Sequence, residues 1–137
     1  MRRAFVCAVI VAMVCAGEAI ASVSAGKYSG HYGTHSASKI SFTVRGNTVR
    51  NFKLDVLAPY YCGWDNQYVF QTFIIPKAKI HSGKVKTTYV IRNSSGQAIG
   101  KDKLTATFSG GSAHGTVGGV ESGCIFATYK WTAHKVG

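Results

Sequence analysis

Hydrophobic and polar residues alternate along many short stretches of this chain. In the clearest stretch, Ile40, Phe42 and Val44 alternate with serine and threonine, which is the two-residue period of a half-buried β-strand. A return strand is predicted over Val49–Leu57, with its hydrophobic side chains facing inward. The turn Arg45-Gly46-Asn47 lies between them, and glycine and asparagine accept the positive φ of a tight turn. The pattern therefore predicts a β-hairpin.

Further alternating stretches follow, separated by turns rich in glycine, serine and asparagine. The other predicted strands are Lys27–Gly33, Tyr68–Ile75, Val85–Ile91, Leu104–Phe108, Ala113–Val117 and Cys124–Ala133, with a short edge strand at Lys79–His81. Pro76 is predicted to end the strand before it, and Gly118–Gly123 is predicted to be a loop. No window has the 3.6-residue period of a helix, so the chain is expected to be all-β, as a single antiparallel β-sandwich or barrel-like domain.

The predicted core consists of large side chains on the inward faces of these strands. Its aromatic members are Tyr28, Phe42, Phe52, Phe108 and Trp131. The last predicted strand is expected to direct one alternating set inward, namely Ile125, Ala127, Tyr129, Trp131 and Ala133.

Residues 1–25 have the composition of a secretory signal peptide. Arg2 and Arg3 precede the apolar run Ala4–Ala16, and two sites with small residues, Ala19-Ile20-Ala21 and Val23-Ser24-Ala25, are candidates for cleavage. The run is shorter than the roughly 20 residues that span a bilayer. We therefore expect a secreted domain over 26–137, extracellular or periplasmic, without a membrane span.

Cleavage of this segment would leave two cysteines, Cys62 and Cys124. Two cysteines in an oxidising compartment most simply form one disulfide. A redox site would place the thiols close together in sequence, and a zinc site would need more ligands. The sequence therefore predicts a domain that one disulfide stabilises.

The chain is strongly basic, with 16 Lys and Arg residues against 5 Asp and Glu residues and a net charge of +11. Such a surface favours anionic partners, here an anionic glycan or an acidic protein. Because the lysines are spread along the chain, a role in solubility alone is the alternative interpretation. Nucleic acid is not an expected partner of an exported protein.

Four aromatic residues cluster around Cys62 and are the candidate binding residues: Tyr60, Tyr61, Trp64 and Tyr68. The segment is predicted to be a loop between two strands. Planar aromatic rings stack on sugar faces and anchor protein contacts, and the disulfide would pre-organise them. In the alternative interpretation, these rings cover the disulfide and the end of the core.

No catalytic residues are predicted, and we expect a protein that is not an enzyme. Asp102 lies between Lys101 and Lys103 and is expected to form a solvated ion pair, while Asp55 is expected to lie outward beside Lys53. No two carboxylates are placed for acid–base chemistry by the sequence pattern.

Histidine spacing does not predict a metal site either. His31 and His35 lie on a strand and a loop, where their spacing does not converge, and His114 would join them only through tertiary contact. We therefore expect neither a metal nor a cofactor.

Several short motifs occur in a characteristic order along the chain. They are Tyr28-x-Gly30, Ile40-Ser41-Phe42-x-Val44-x-Gly46, Val49-x-Asn51-Phe52, Cys62, Thr107-Phe108-Ser109-Gly110, Ala113-x-Gly115-Thr116, Gly123-Cys124 and Trp131-Thr132-Ala133. In this order the chain resembles a family of small secreted bacterial β-domains of unknown function. The resemblance implies a β-sandwich-like fold with the two cysteines placed to pair, and it implies no activity.

Taken together, charge, aromatics and compartment predict a monomeric, non-catalytic binding module for anionic cell-surface or cell-wall glycans. The alternative hypothesis is a protein-interaction module, such as an inhibitor of a secreted enzyme or a small toxin or antimicrobial.

Overall fold

The structure, a computed structural model, describes residues 22–33, 38–63 and 65–137, and the side chains of residues 58–60 and 65–67 lie outside the description. Most of the predicted signal peptide, residues 1–21, therefore lies outside the described residues. The described residues form strands β1 (Gly26–Tyr32), β2 (Lys39–Arg45), β3 (Thr48–Cys62), β4 (Asp65–Lys79), β5 (Lys84–Arg92), β6 (Ala98–Ser109), β7 (Ser112–Glu121), β8 (Cys124–Phe126) and β9 (Tyr129–Val136). The predicted all-β fold is confirmed. No helix in the described ranges is long and apolar enough to cross a bilayer.

The strands form one antiparallel sheet that curves into a half-barrel. The strand order is β4-β3-β2-β1-β9-β7-β6-β5, and the short strand β8 pairs with both β3 and β7. The first and last strands, β1 and β9, are paired side by side in the middle of this order. The inner face of the sheet encloses the core, and many side chains of its outer face are exposed.

The predicted hairpin of β2 and β3 is confirmed. Gly46 has the expected positive φ of 55°, and Arg45 pairs with Thr48 across the turn. Further along β3, Asn51 has a φ of 53° where the register with β2 shifts by one residue. Such a bulge bends a strand and increases its twist, which helps to curve the sheet.

Aromatic rings from strands distant in sequence meet in the core, as predicted. Tyr28, Phe42, Phe52 and Trp131 are all buried, together with Phe108. The rings of Tyr28 and Phe42 stack with centroids 4.9 Å apart, and those of Phe52 and Trp131 are 5.4 Å apart. These contacts join β1, β2, β3 and β9 into one core.

Strand β4 is longer than the sequence pattern predicts. The prediction that Pro76 ends this strand was wrong, because β4 continues to Lys79. Pro76 lies opposite the bulge at Asn51, where no ladder pair forms. Because β4 is also an edge strand, the missing N–H of proline is tolerated there. The predicted edge strand Lys79–His81 was also wrong, since His81 makes an isolated bridge with Lys84.

The C-terminal part of the chain also departs from the prediction. Gly118–Gly123 was predicted to be a loop, but β7 continues to Glu121. The predicted strand Cys124–Ala133 is divided into β8 and β9 by two residues. Because this break shifts the alternation by one position, Ile125 lies on the outer face rather than in the core.

The predicted disulfide between Cys62 and Cys124 is present. It joins the last residue of β3 to the first residue of β8 across a sequence separation of 62 residues. Since β8 also pairs with β7, the bridge fixes the end of β3 to the opposite side of the half-barrel.

The residues just before β1 contact the rest of the domain. Val23 packs against the core, the Ser24 N–H donates to the Gly110 carbonyl at 3.3 Å, and the Tyr28 hydroxyl donates to the Ser24 carbonyl at 2.8 Å. Cleavage after Ala25 would remove these contacts, whereas cleavage after Ala21 keeps them.

We therefore expect residues 22–25 to add to the stability of the domain. A matched pair of recombinant domains beginning at Ser22 and at Gly26 should differ in stability by about 1–2 kcal/mol, because the shorter form loses two partly exposed hydrogen bonds and the apolar contact of Val23. Equal stability of the two forms in urea unfolding would contradict this expectation.

Candidate functional site

The aromatic segment around Cys62 is the far end of a long hairpin. Its prediction as a loop was wrong: the ladder of β3 and β4 continues to the pair Cys62 and Asp65. Gly63, with a φ of 61°, begins the tight connection at the tip. The disulfide side of the hairpin is held by β8, which pairs with Tyr61 through Ile125. The aromatic residues therefore sit on strands, and strands hold side chains in fixed alternation.

The structure describes two of the four predicted binding side chains, and both are exposed. Tyr61 is 46% exposed and Tyr68 is 75% exposed. The backbone of Tyr60 pairs with Phe126, but its side chain lies outside the description. Trp64 lies outside the described residues.

Four further apolar residues, which the sequence prediction missed, join Tyr61 and Tyr68 on the outer face. We call the six together the apolar platform: Leu57, Tyr61, Tyr68, Phe70, Val120 and Ile125. Leu57 pairs with Phe70, Tyr61 with Ile125, and Ile125 with Val120; residues directly opposite each other in a ladder project from the same face.

All six members of the apolar platform are exposed, and Phe70 has the largest exposed fraction at 82%. Isolated exposed apolar residues are common, but a contiguous group of them marks an interaction surface. A signal for Leu57 was present in the sequence, since its neighbour Val56 was predicted to face inward. Val120 and Ile125 join the platform through the pairing of β7 with β8, a strand that the sequence pattern did not separate.

A groove lined by two lysines adjoins the apolar platform on the same face. Lys101 pairs with Val120 and Lys103 with Gly118, and both lysines line a groove of about 350 Å³ together with Val120 and Ile125. Among the described residues, no carboxylate lies within 4 Å of the ammonium group of either lysine. The ion pair found in this part of the chain joins Lys53 and Asp55 instead, at 3.2 Å. We call this the lysine groove.

A second groove, of about 690 Å³, lies further along the outer face of β6, β7 and β9. We call it the threonine groove after its lining, which includes Thr105, Thr107, Thr116 and Thr132 with His31, His114 and Lys130. The hydroxyl oxygens of Thr105 and Thr116 are hydrogen-bonded at 2.6 Å. The groove therefore offers hydroxyl, imidazole and ammonium groups on one surface.

Two of the three histidines considered as metal ligands line this threonine groove. His31 and His114 both border it, while His35 lies outside the described residues. No cluster of three His, Cys, Asp or Glu side chains suited to a metal is found among the described residues.

Tyr129 is a buried tyrosine of the core. The hydroxyl of Tyr129 is buried and has no hydrogen-bond partner among the described residues. Burial raises the pKa of Tyr129 to about 12, and the phenol groups of Tyr32, Tyr61 and Tyr68 add to this effect. Tyr129 will therefore stay neutral at physiological pH.

The prediction that Asp102 forms a solvated ion pair was wrong. Its side chain is only 3% exposed, because the alternation of β6 places it on the inner face with Leu104, while Lys101 and Lys103 face outward. Burial, and then the negative charge of Glu121, raise the pKa of Asp102 to about 7. Lys53 and Asp55 lie on the outer face as predicted, and the structure shows that they also form an ion pair.

A scan against protein-family models, a search of curated proteins and a search of solved structures each give no match to this chain. The geometry of the described residues therefore carries the functional conclusions.

Proposed function

We propose that this protein is a non-catalytic binding module for anionic glycans of a cell surface or cell wall. The observation that carries the proposal is the apolar platform lying directly beside the unpaired lysines of the lysine groove. Stacking surface and positive charge are the two features that an anionic polysaccharide requires of a binding face.

The platform supplies the stacking surface. Tyr68 and Phe70 are two residues apart on the same face of β4, so their attachment points are about 7 Å apart along the strand. Both rings are presented by a hairpin that the disulfide and β8 hold in place. A rigid platform loses little conformational entropy when it binds, which favours affinity.

The charge is supplied from the neighbouring strands. Lys101 and Lys103 project beside Val120 and Ile125, and Lys130 lies further along the same face in the threonine groove. A long anionic chain that stacks on the platform can therefore continue over ammonium and hydroxyl groups. These contacts are exposed, so their contribution should weaken with salt.

A protein partner is the second candidate, favoured by the aliphatic members of the platform. Leu57, Val120 and Ile125 are exposed beside the aromatic rings, and aliphatic side chains bury well against proteins but do not stack on sugars. This candidate corresponds to an inhibitor or another interaction protein.

The test is a pull-down on insoluble cell wall that carries teichoic acid, with the same wall after removal of the anionic polymer beside it. The variant Tyr68→Ala with Phe70→Ala should bind at least tenfold more weakly because it loses both rings. Lys101→Gln with Lys103→Gln should bind more weakly at low salt and show a smaller salt dependence. Val136→Ala is the matched control, since Val136 is an exposed apolar residue outside the platform.

Thermal unfolding of each variant will show that the fold is retained. The glycan proposal fails if the aromatic variant binds the wall as well as the wild type does. A saturable 1:1 complex with a secreted protein, lost on Leu57→Ser and Ile125→Ser but not dependent on wall material, would support the second candidate instead.

A further inference from the structure

The half-barrel has an open seam between its two edge strands. β4 and β5 are consecutive in sequence, yet they lie at opposite ends of the strand order. A tight turn joins them, in which the backbones of His81 and Lys84 exchange hydrogen bonds of 2.8 and 2.9 Å. Beyond that turn, no ladder pairs β4 with β5 among the described residues, so the two edges separate.

A groove of about 350 Å³ opens along this seam. We call it the seam groove; its lining residues are Gln71, Thr72 and Ile74 from β4, Tyr89 and Ile91 from β5, Asp102 from β6 and Glu121 from β7. It is distinct from the lysine groove and the threonine groove, which lie on the outer face of the sheet. A volume of this size accommodates a small organic molecule.

Two carboxyl groups converge in the seam groove. Asp102 pairs with Gly119, and Glu121 pairs with Gly100 two ladder positions away, so both acidic side chains project from the inner face as diagonal neighbours. A side chain at position 119 would collide with Oδ1 of Asp102. Glycine at this position therefore leaves the space that the Asp102 carboxyl group occupies.

The Asp102 carboxyl group has no compensating partner in the described chain. It makes no hydrogen bond or ion pair there, although its side chain is buried. The charged or titratable groups that face it are Tyr89 from β5 and Glu121 from β7, with the neutral Gln71 from β4. A buried carboxylate beside another carboxylate is costly unless a cation pairs with it.

This arrangement is unusual in so basic a chain. The protein has 5 acidic residues against 16 basic ones, yet two of the acidic residues face one groove and none of the basic residues lines it. The groove is therefore complementary to positive charge, in contrast to the outer face of the sheet.

We propose that the seam groove binds a small organic cation through an ammonium or guanidinium group held between Asp102 and Glu121. Such groups donate several charge-assisted hydrogen bonds to carboxylates. Tyr89, Ile74 and Ile91 provide the apolar walls that the carbon skeleton of an organic cation needs, and the Tyr89 ring can attract the cation through its face. A calcium ion would require six to eight oxygen ligands, and no cluster of three His, Cys, Asp or Glu side chains suited to a metal occurs among the described residues.

Cation binding should also be coupled to the release of a proton from Asp102. A cation favours the ionised form of Asp102, whose pKa of about 7 in the free protein reflects burial first and the Glu121 charge second. Binding should therefore release a proton near neutral pH, and affinity should increase several-fold between pH 6 and pH 8 before it levels off.

The experiment is an NMR titration of the mature oxidised domain at constant ionic strength with n-butylguanidinium and n-butylammonium. The neutral n-butylurea has nearly the same shape and serves as the ligand control. We expect saturable shifts of the Gln71, Tyr89 and Gly119 amides with both cations and none with the urea. Asp102→Asn and Glu121→Gln should each weaken binding at least tenfold, whereas Asp55→Asn, which removes an exposed carboxylate elsewhere, should leave it unchanged.

Three outcomes would overturn the proposal. One is equal binding of n-butylurea, which would show that charge is not recognised. Another is unchanged cation binding by both Asp102→Asn and Glu121→Gln, each checked for its fold by the same spectra. The third is saturation of the groove by calcium chloride with no response to either organic cation. The outer-face glycan proposal is unaffected by any of these results, because it involves other residues.

Discussion

Replacement of Asp102 by asparagine should stabilise the domain at pH 8 by roughly 2–4 kcal/mol. The carboxyl group has a pKa of about 7 in the folded protein, owing to burial and then to Glu121, against an ordinary value of 3.8. As pH rises from about 4 to about 7, the carboxyl group of the unfolded chain releases its proton before that of the folded protein does. The stability that the protonated group contributes is therefore present below pH 4 and is lost by about pH 7. Asparagine is neutral at every pH and avoids the loss.

Urea unfolding at pH 4, 6 and 8 will measure this effect. The advantage of Asp102→Asn should be small at pH 4 and grow toward pH 8. The control is Asp55→Asn, which should show the opposite trend: a hydrogen bond from Thr72, and then the ion pair with Lys53, hold the pKa of Asp55 below its ordinary value. An Asp102→Asn advantage that is equal at pH 4 and pH 8 would contradict the expectation.

The same substitution that stabilises the domain is expected to weaken cation binding in the seam groove at least tenfold. A binding site commonly retains a group that costs stability in the free protein and is compensated in the complex. Measuring stability and binding on one variant therefore distinguishes a functional carboxylate from one that is merely tolerated.

Removal of the disulfide should have the second large effect. Serine at both Cys62 and Cys124 should lower the free energy of unfolding by about 4 kcal/mol, because a bridge across 62 residues restricts the unfolded chain strongly. For a small domain with a total stability of roughly 5–15 kcal/mol, such a loss leaves a marginal fold.

Removal of the disulfide should also loosen the attachment of β8 to β3. Without the bridge, β8 is held to β3 by a short ladder that includes Tyr61 and Ile125, so hydrogen exchange of the Ile125 amide should accelerate more than that of Phe42 in the core. Reduced wild type is the matched control and should resemble the double variant. Unfolding midpoints that are the same for the oxidised, reduced and double-variant proteins would refute this prediction.

Much of the fold could be predicted because it is encoded in local alternation. The period-two pattern of Ile40, Phe42 and Val44 depends only on neighbouring residues, and so does the inward direction of Phe52. The disulfide followed from the small number of cysteines in the mature chain. Trp131 was placed correctly because its strand alternates cleanly near the C-terminus.

The errors concern features that depend on strands distant in sequence. Ile125 lies outward because β8 breaks from β9 and pairs with β3 and β7, which alternation within one stretch cannot show. Asp102 is a different case, since the inward positions Leu104, Ala106 and Phe108 extend back to it in steps of two. The flanking lysines suggested solvent exposure, and the strand period contradicted that suggestion.

The pairing of β1 with β9 in the middle of the sheet sets the time at which this protein can fold. The core needs both Tyr28 of β1 and Trp131 of β9, so a nascent chain lacks the central ladder until the seven strands between them have been synthesised. Contacts of such high sequence separation form slowly. Until the two strands meet, the chain stays unfolded, which is the state that export of the kind expected from the sequence would require.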